Sequence, residues 1–200
     1  MRLAFAMAEH GDPQAQATLA DVATRSLERR ALGETDGDGI LSDPARRAAL
    51  VRTGLLNGPI DAALDRLTGV VARVLDAPVA LVSLVDADKQ VFAGCIGLPE
   101  PWATDRQTPL SHSFCQHAVT SREPLIVADA RKDPRVKDNL AIRDLDVIAY
   151  AGIPLIDRQG QALGSLCVID HRPRRWTDAE VELLNDLATT VVDELESRSA

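Results

Sequence analysis

Val79-Ala-Leu-Val-Ser-Leu-Val85 is apolar at nearly every position, so neither of its alternating faces is suited to water. A strand with two apolar faces must be covered on both. Asp86-Ala-Asp-Lys89 reads as a turn, and Gln90 to Ile96 returns as the partner strand of a hairpin. A second hairpin follows later, Val147 to Ile156 and Gln161 to Ile169, joined across Asp157-Arg-Gln-Gly160. Between the two lie an irregular stretch from Gly97 to Thr108, a short helix over about 110–120, and a strand at Pro124-Leu-Ile-Val127. Residues 128–146 are polar and loop-like.

Helices flank these strands. Ser42 or Asp43 can cap a helix that begins at Pro44 and ends near Gly54. A second, starting around Pro59, sets Ile60, Leu64, Leu67, Val71 and Val74 on one face. The last opens at Trp176-Thr-Asp with a capping box, Thr177 and Glu180. Its seam of Val181, Leu184, Ala188, Val191 and Leu195 suits a helical partner or the domain itself. The order of elements predicts an α+β fold, an antiparallel sheet with helices on both sides.

Residues 1–40 differ in character and are expected to form a flexible extension. Gln14 to Leu32 can form a helix, but its apolar face is mostly Ala and buries little. Gly33-Glu-Thr-Asp-Gly-Asp-Gly39 reads as an acidic linker. Glu34, Asp36, Asp38 and Gly39 fit the start of an EF-hand loop, yet its last position falls on Ala45, where a bidentate Glu is needed.

The chain has 200 residues, 22 Lys+Arg against 30 Asp+Glu, and a net charge of −8. With 46% hydrophobic and 26% charged residues it has the composition of a globular protein rather than a disordered one. The acidic balance argues against nucleic acid as a partner. Three cysteines make no disulfide framework and suit a reducing compartment. Met1 to Met7 is too short to serve as a signal peptide's apolar region, and no stretch reaches the roughly 18 apolar residues of a membrane span. The expectation is a cytoplasmic protein with no membrane association.

From about Asp43 to the final helix the chain resembles a GAF domain of bacterial signalling proteins. The likeness rests on Asp43-Pro-Ala-Arg46, Ala80-Leu-Val-Ser-Leu-Val-Asp86 and Leu110-Ser-His-Ser-Phe-Cys-Gln-His-Ala-Val119. It continues through Val127-Ala-Asp-Ala-Arg-Lys-Asp-Pro-Arg135, Tyr150-Ala-Gly-Ile-Pro-Leu155, Gly164-Ser-Leu-Cys-Val-Ile-Asp170 and Arg174-Arg-Trp-Thr177. The resemblance implies a GAF (PAS-like) fold over residues 43–200, with a central antiparallel sheet of five to six strands and helices on both faces. It further implies a stand-alone, non-enzymatic regulatory domain that senses a small molecule. Such a domain would signal through a homodimer or through a partner protein in trans. A ligand-free interaction module and a thiol-based redox sensor are the alternatives.

Ser111, His112, Ser113, Cys115, Gln116 and His117 form the densest cluster of chemistry-bearing residues. On a continuous helix His112 and Cys115 lie about 60° apart and His117 about 140° from His112, so three ligands cannot converge from that helix alone. Chromophore-binding relatives carry the linking Cys directly before a His; here Gln116 intervenes between Cys115 and His117. The Asn-Lys-Phe-Asp-Glu pattern of cyclic-nucleotide-binding relatives is absent. Carried over from the family's cavity, Trp102, His112, Cys115, Asp129, Arg131 and Tyr150 are the candidate ligand-binding residues. No cofactor is identified, and Cys95 and Cys167 read as small core residues of strands.

Overall fold

A computed structural model of the chain describes residues 36–58 and 60–198. The chain divides after Gly39, and the helix expected over 14–32 lies outside the described residues. A short helix, α1 (Asp36–Leu41), occupies the second half of the segment expected to be a linker. The reason lies outside that segment: Leu41 is buried, and the Arg46 side chain donates to the Ile40 and Leu41 carbonyls, which a helix end leaves unpaired.

Arg46 belongs to α2 (Pro44–Arg52), whose first turn is capped by the Asp43 carboxylate accepting from the Arg46 amide at 2.8 Å. Only 2% of Arg46 is exposed. Its guanidinium also donates to the Val85 and Ala162 carbonyls at 2.6 and 3.2 Å. One buried cation thus ties the entry helices to the ends of two central strands. Next, α3 (Ala62–Val74) starts later than Pro59 because Asp61 accepts from the Ala63 and Leu64 amides and fixes the first turn there. Leu64 and Val71 of the expected apolar face are buried and Leu67 packs against the core, but Ile60 and Val74 are 65% and 56% exposed, with Thr68 and Ala72 buried in their place.

The strands are β1 (Val79–Val85), β2 (Lys89–Ile96), β3 (Gln107–Pro109), β4 (Leu125–Val127), β5 (Ala149–Ile156) and β6 (Ala162–Asp170). They make one antiparallel sheet in the order β3-β2-β1-β6-β5-β4. Each residue of β1 is buried, as a strand covered on both sides requires. Ala80, Val82 and Leu84 enter one core with α2, α3 and the final helix, α7 (Asp178–Arg198). Val79, Leu81 and Val85 enter a second core on the opposite face. Gly94 lets α3 rest on bare β2 backbone, since a Cβ there would stand 2.8 Å from the Leu64 carbonyl oxygen.

The capping box of α7 is reciprocal: the Glu180 amide donates to Thr177 Oγ1 at 3.3 Å and the Thr177 amide to Glu180 Oε2 at 2.7 Å. Leu184, Ala188, Val191 and Leu195 are buried in the domain's own first core. Burial of a Leu or Val side chain contributes about 1.5–3 kcal/mol. The seam is therefore occupied by the sheet and is not open to a helical partner. No helix among the described residues is long and apolar enough to cross a membrane.

Candidate functional site

On the second face, the segment between β2 and β4 folds into small pieces. These are α4 (Trp102–Asp105), β3, a 3-10 turn at Leu110–His112, and α5 (Cys115–Ser121). The single helix expected over 110–120 is thus broken at Ser113, whose backbone is extended. The break has a polar cause. Ser113 Oγ donates to Gln90 Oε1 at 2.7 Å and accepts from the Gln116 amide at 3.1 Å. Gln116 Nε2 in turn donates to the Leu110 and Ser113 carbonyls at 2.7 and 2.9 Å. Cys115 consequently opens α5 rather than lying deep within a helix, and His112 belongs to a different piece of chain.

Gln90 is the hub of this arrangement and was not among the candidate residues. It is 3% exposed, accepts from Ser83 Oγ at 3.1 Å and donates to Thr108 Oγ1 at 2.7 Å. A single glutamine in a strand carries no spacing signal, because its partners come from β1, β3 and the break at Ser113. Strand alternation alone, which turns Gln90 to the same face as Phe92, was the available clue.

Beneath α5 lies a small hollow of about 20 Å³, lined in part by Gln90, His112, Phe114, Cys115, Tyr150 and Cys167. That volume admits one water-sized molecule, which needs about 10–15 Å³ on this measure. The cavity that the family resemblance implies is largely filled by side chains, the Phe114 and Tyr150 rings packing at a tilt with centroids 5.3 Å apart. Trp102 packs against His112, which lines the hollow, with their ring centroids 5.5 Å apart. His112 is held by Asp144 Oδ2 at 3.1 Å, on α6 (Ala141–Asp144), and by Ser111 Oγ at 3.0 Å.

Tyr150 comes from β5 and Cys167 from β6, and both side chains meet the first residue of α5. The Tyr150 hydroxyl donates to Cys115 Sγ at 3.3 Å, and Cys115 and Cys167 stand sulfur to sulfur at 3.8 Å. The contact with Cys167 lowers the pKa of Cys115, burial opposes it, and the Tyr150 hydroxyl adds to the lowering. The same contact raises Cys167, as does burial. Burial likewise pushes the Tyr150 phenol well above its ordinary value. Gly152 makes room for that phenol, since a Cβ there would overlap its oxygen.

Asp129 and Arg131 do not reach the hollow. They pair with each other, the Arg131 guanidinium donating to both carboxylate oxygens at 2.8 and 2.9 Å, with Lys132 Nζ 3.2 Å from Oδ2. Arg131 foremost holds the Asp129 carboxyl well below the usual carboxylate range. Of the six candidates, Trp102, His112, Cys115 and Tyr150 are brought together. Among the described residues no group of three or more His, Cys, Asp or Glu is arranged to hold a metal ion.

Comparison with known proteins bears on the whole arrangement. The chain is 36% identical over 150 residues to a cyclic di-GMP phosphodiesterase of Pseudomonas aeruginosa, a match covering 74% of this chain and 25% of that enzyme. The chain thus corresponds to about a quarter of that relative's length. Among solved structures it is similar to the GAF domain of a phosphoenolpyruvate-protein phosphotransferase from Coxiella burnetii. There the TM-score is 0.59 at 20% identity, covering 76% of this chain and 93% of that one. It is similar also to free methionine-R-sulfoxide reductase from Neisseria meningitidis, with TM-score 0.56 at 20% identity over 78% and 93% of the two chains. At that identity the likeness concerns the fold alone. The family model for the GAF domain matches residues 59–195, well over half of the sequence and all six strands, and so the chain belongs to the GAF domain family of signalling modules.

Proposed function

We propose that this domain is a cytoplasmic regulatory sensor rather than an enzyme. A small molecule enters beneath α5 by displacing the cover formed by Trp102, His112 and Phe114. The response passes to a partner protein in trans or to a second copy of the chain. One observation carries the reading: four unlike side chains, Gln90, His112, Cys115 and Tyr150, converge on a single hollow roofed by an irregular segment. The likeness to part of a cyclic di-GMP phosphodiesterase supports a place in second-messenger signalling.

The mechanism is a population shift. A ligand favours the open cover only by as much as it binds that state better than the closed one. The strands beneath α5, β5 and β6, carry α7 on their other face, so a shift of α5 reaches α7 through the sheet. A ligand-free interaction module is the second reading, favoured by a hollow of only about 20 Å³.

Trp102 and Trp176 are the two tryptophans, so the W176F variant makes Trp102 the sole fluorescent reporter of the cover. A panel of amino acids, nucleotides and cyclic di-GMP is screened by thermal shift and by Trp102 emission. A ligand that raises the melting temperature and moves the emission supports sensing. A panel that moves neither leaves the interaction module as the better reading.

A further inference from the structure

The GAF fold does not explain why two of the three cysteines meet. Cys115 and Cys167 are 3% and 0% exposed, face each other across the α5–β6 contact at 3.8 Å, and both line the hollow. Cysteines that merely fill a core need no polar partner, yet Cys115 Sγ accepts a hydrogen bond from the Tyr150 hydroxyl, which also touches Ser165 Oγ at 3.3 Å. Such donation favours the thiolate, the reactive form of cysteine. Hydrogen peroxide is among the smallest two-electron oxidants, which suits a hollow of about 20 Å³ that bulkier oxidants would have to widen.

We propose that Cys115 and Cys167 are a redox-active dithiol, in which hydrogen peroxide oxidises Cys115 and Cys167 resolves the product as an intramolecular disulfide. In the first step Cys115 Sγ attacks one peroxide oxygen. An S–O bond forms, the O–O bond breaks, and the departing hydroxide takes the Cys115 proton and leaves as water. In the second step Cys167 Sγ attacks the sulfenic sulfur. The S–S bond forms, the S–O bond breaks, and the second hydroxide leaves as water with the Cys167 proton. Overall two thiols and one peroxide give one disulfide and two waters, with sulfur oxidised and oxygen reduced. Closing the sulfurs from 3.8 Å to the bonded distance of about 2.05 Å draws α5 onto β6. The switch acts on the same helix as the proposed sensing movement and requires no organic ligand.

The test uses the full chain, reduced, desalted under nitrogen and treated with stoichiometric hydrogen peroxide. It is then denatured, alkylated and weighed, and its peptides are mapped without reduction. The expected result is loss of two of the three alkylatable thiols, loss of the mass of two hydrogens, and a linked peptide pair joining Cys115 to Cys167. Reduction should restore all three thiols. C95S should behave like the wild-type chain, and C167S should trap a sulfenic acid on Cys115 that reacts with dimedone. Three alkylatable thiols after peroxide overturn the proposal. So does a crosslink through Cys95, or sulfinic acid on Cys115 beside an unmodified Cys167. The wild-type peptide map decides the matter even where a cysteine variant fails to fold.

Discussion

The buried Gln90 amide serves three hydroxyls, those of Ser83, Thr108 and Ser113, and so holds β1, β2 and β3 in register with the break that exposes Cys115 to the hollow. Replacing it with an apolar residue of similar size takes the acceptor from the Ser83 and Ser113 hydroxyls and the donor from Thr108, while Ser113 keeps its bond from the Gln116 amide; a buried group left unpaired costs about 1–3 kcal/mol. Q90L should therefore lower stability in urea by roughly 3 kcal/mol, and Cys115 should alkylate faster as the turn at Ser113 loosens. Asp65 and Arg106 form a different kind of lock, joining α3 to the segment before β3 by two hydrogen bonds of 2.7 and 2.8 Å. Burial pushes the Asp65 carboxyl up, but the Arg106 guanidinium and the Cys95 amide outweigh it, and the net pKa is lowered. The stabilisation is then fully present above the unfolded value of about 3.9 and is lost as pH falls through the folded one. D65N should cost about 2 kcal/mol at pH 7, with the difference from wild type shrinking below about pH 4; urea midpoints at neutral and acid pH measure both.

At the scale of elements, α7 is the most locally determined piece, since its cap, periodicity and buried face are all written within it. T177A should remove about 1 kcal/mol by deleting one arm of the capping box, as measured by chemical denaturation. The two long hairpins were legible for a similar reason: alternation and turn chemistry are local signals. By contrast, β3 and α4 were hidden in the irregular stretch from Gly97 to Thr108. Three residues form β3 only because β2 presents an edge to pair with, and such non-local pairing leaves no periodicity behind. The break at Ser113 was invisible for the same reason, being made by Gln90 from another strand. A helix continuous through residue 113 would hold Cys115 in its interior and on one surface with His112, whereas the break puts them on separate pieces. Asp129 and Arg131 match cavity positions of the family, yet in this run each carboxylate pairs with the arginine two residues on, Asp129 with Arg131 and Asp133 with Arg135, so the charges satisfy each other at the surface. Packing of β5 against α5 supplies a further prediction. G152A brings a methyl group onto the Tyr150 oxygen and should displace it from Cys115. A fall in stability of about 1–3 kcal/mol is expected from overpacking, together with slower oxidation of Cys115 by peroxide.

For the whole molecule, the sheet divides two cores that differ in what they can do. The α3 and α7 side is apolar and closed by long amphipathic helices, whereas the α5 side combines short pieces with a buried polar network. β5 and β6 carry α5 on one face and α7 on the other, so in the proposed sensing mechanism a movement of α5 would reach α7 through these strands. A Cys115–Cys167 disulfide would make that coupling measurable. The two residues lie 52 apart in sequence, so the crosslink closes a long loop in the unfolded chain. Loop entropy then favours the folded state by about 4 kcal/mol, less whatever strain the closing of α5 onto β6 introduces. For a domain of this size each kcal/mol moves the melting temperature by about 2–4 °C. Oxidised C95S should therefore melt roughly 10 °C above its reduced form, a difference that reductant erases. Calorimetry on the two forms checks it, and a lower melting temperature for the oxidised protein would mean that strain exceeds the loop term and that the disulfide pulls α5 out of its reduced seat.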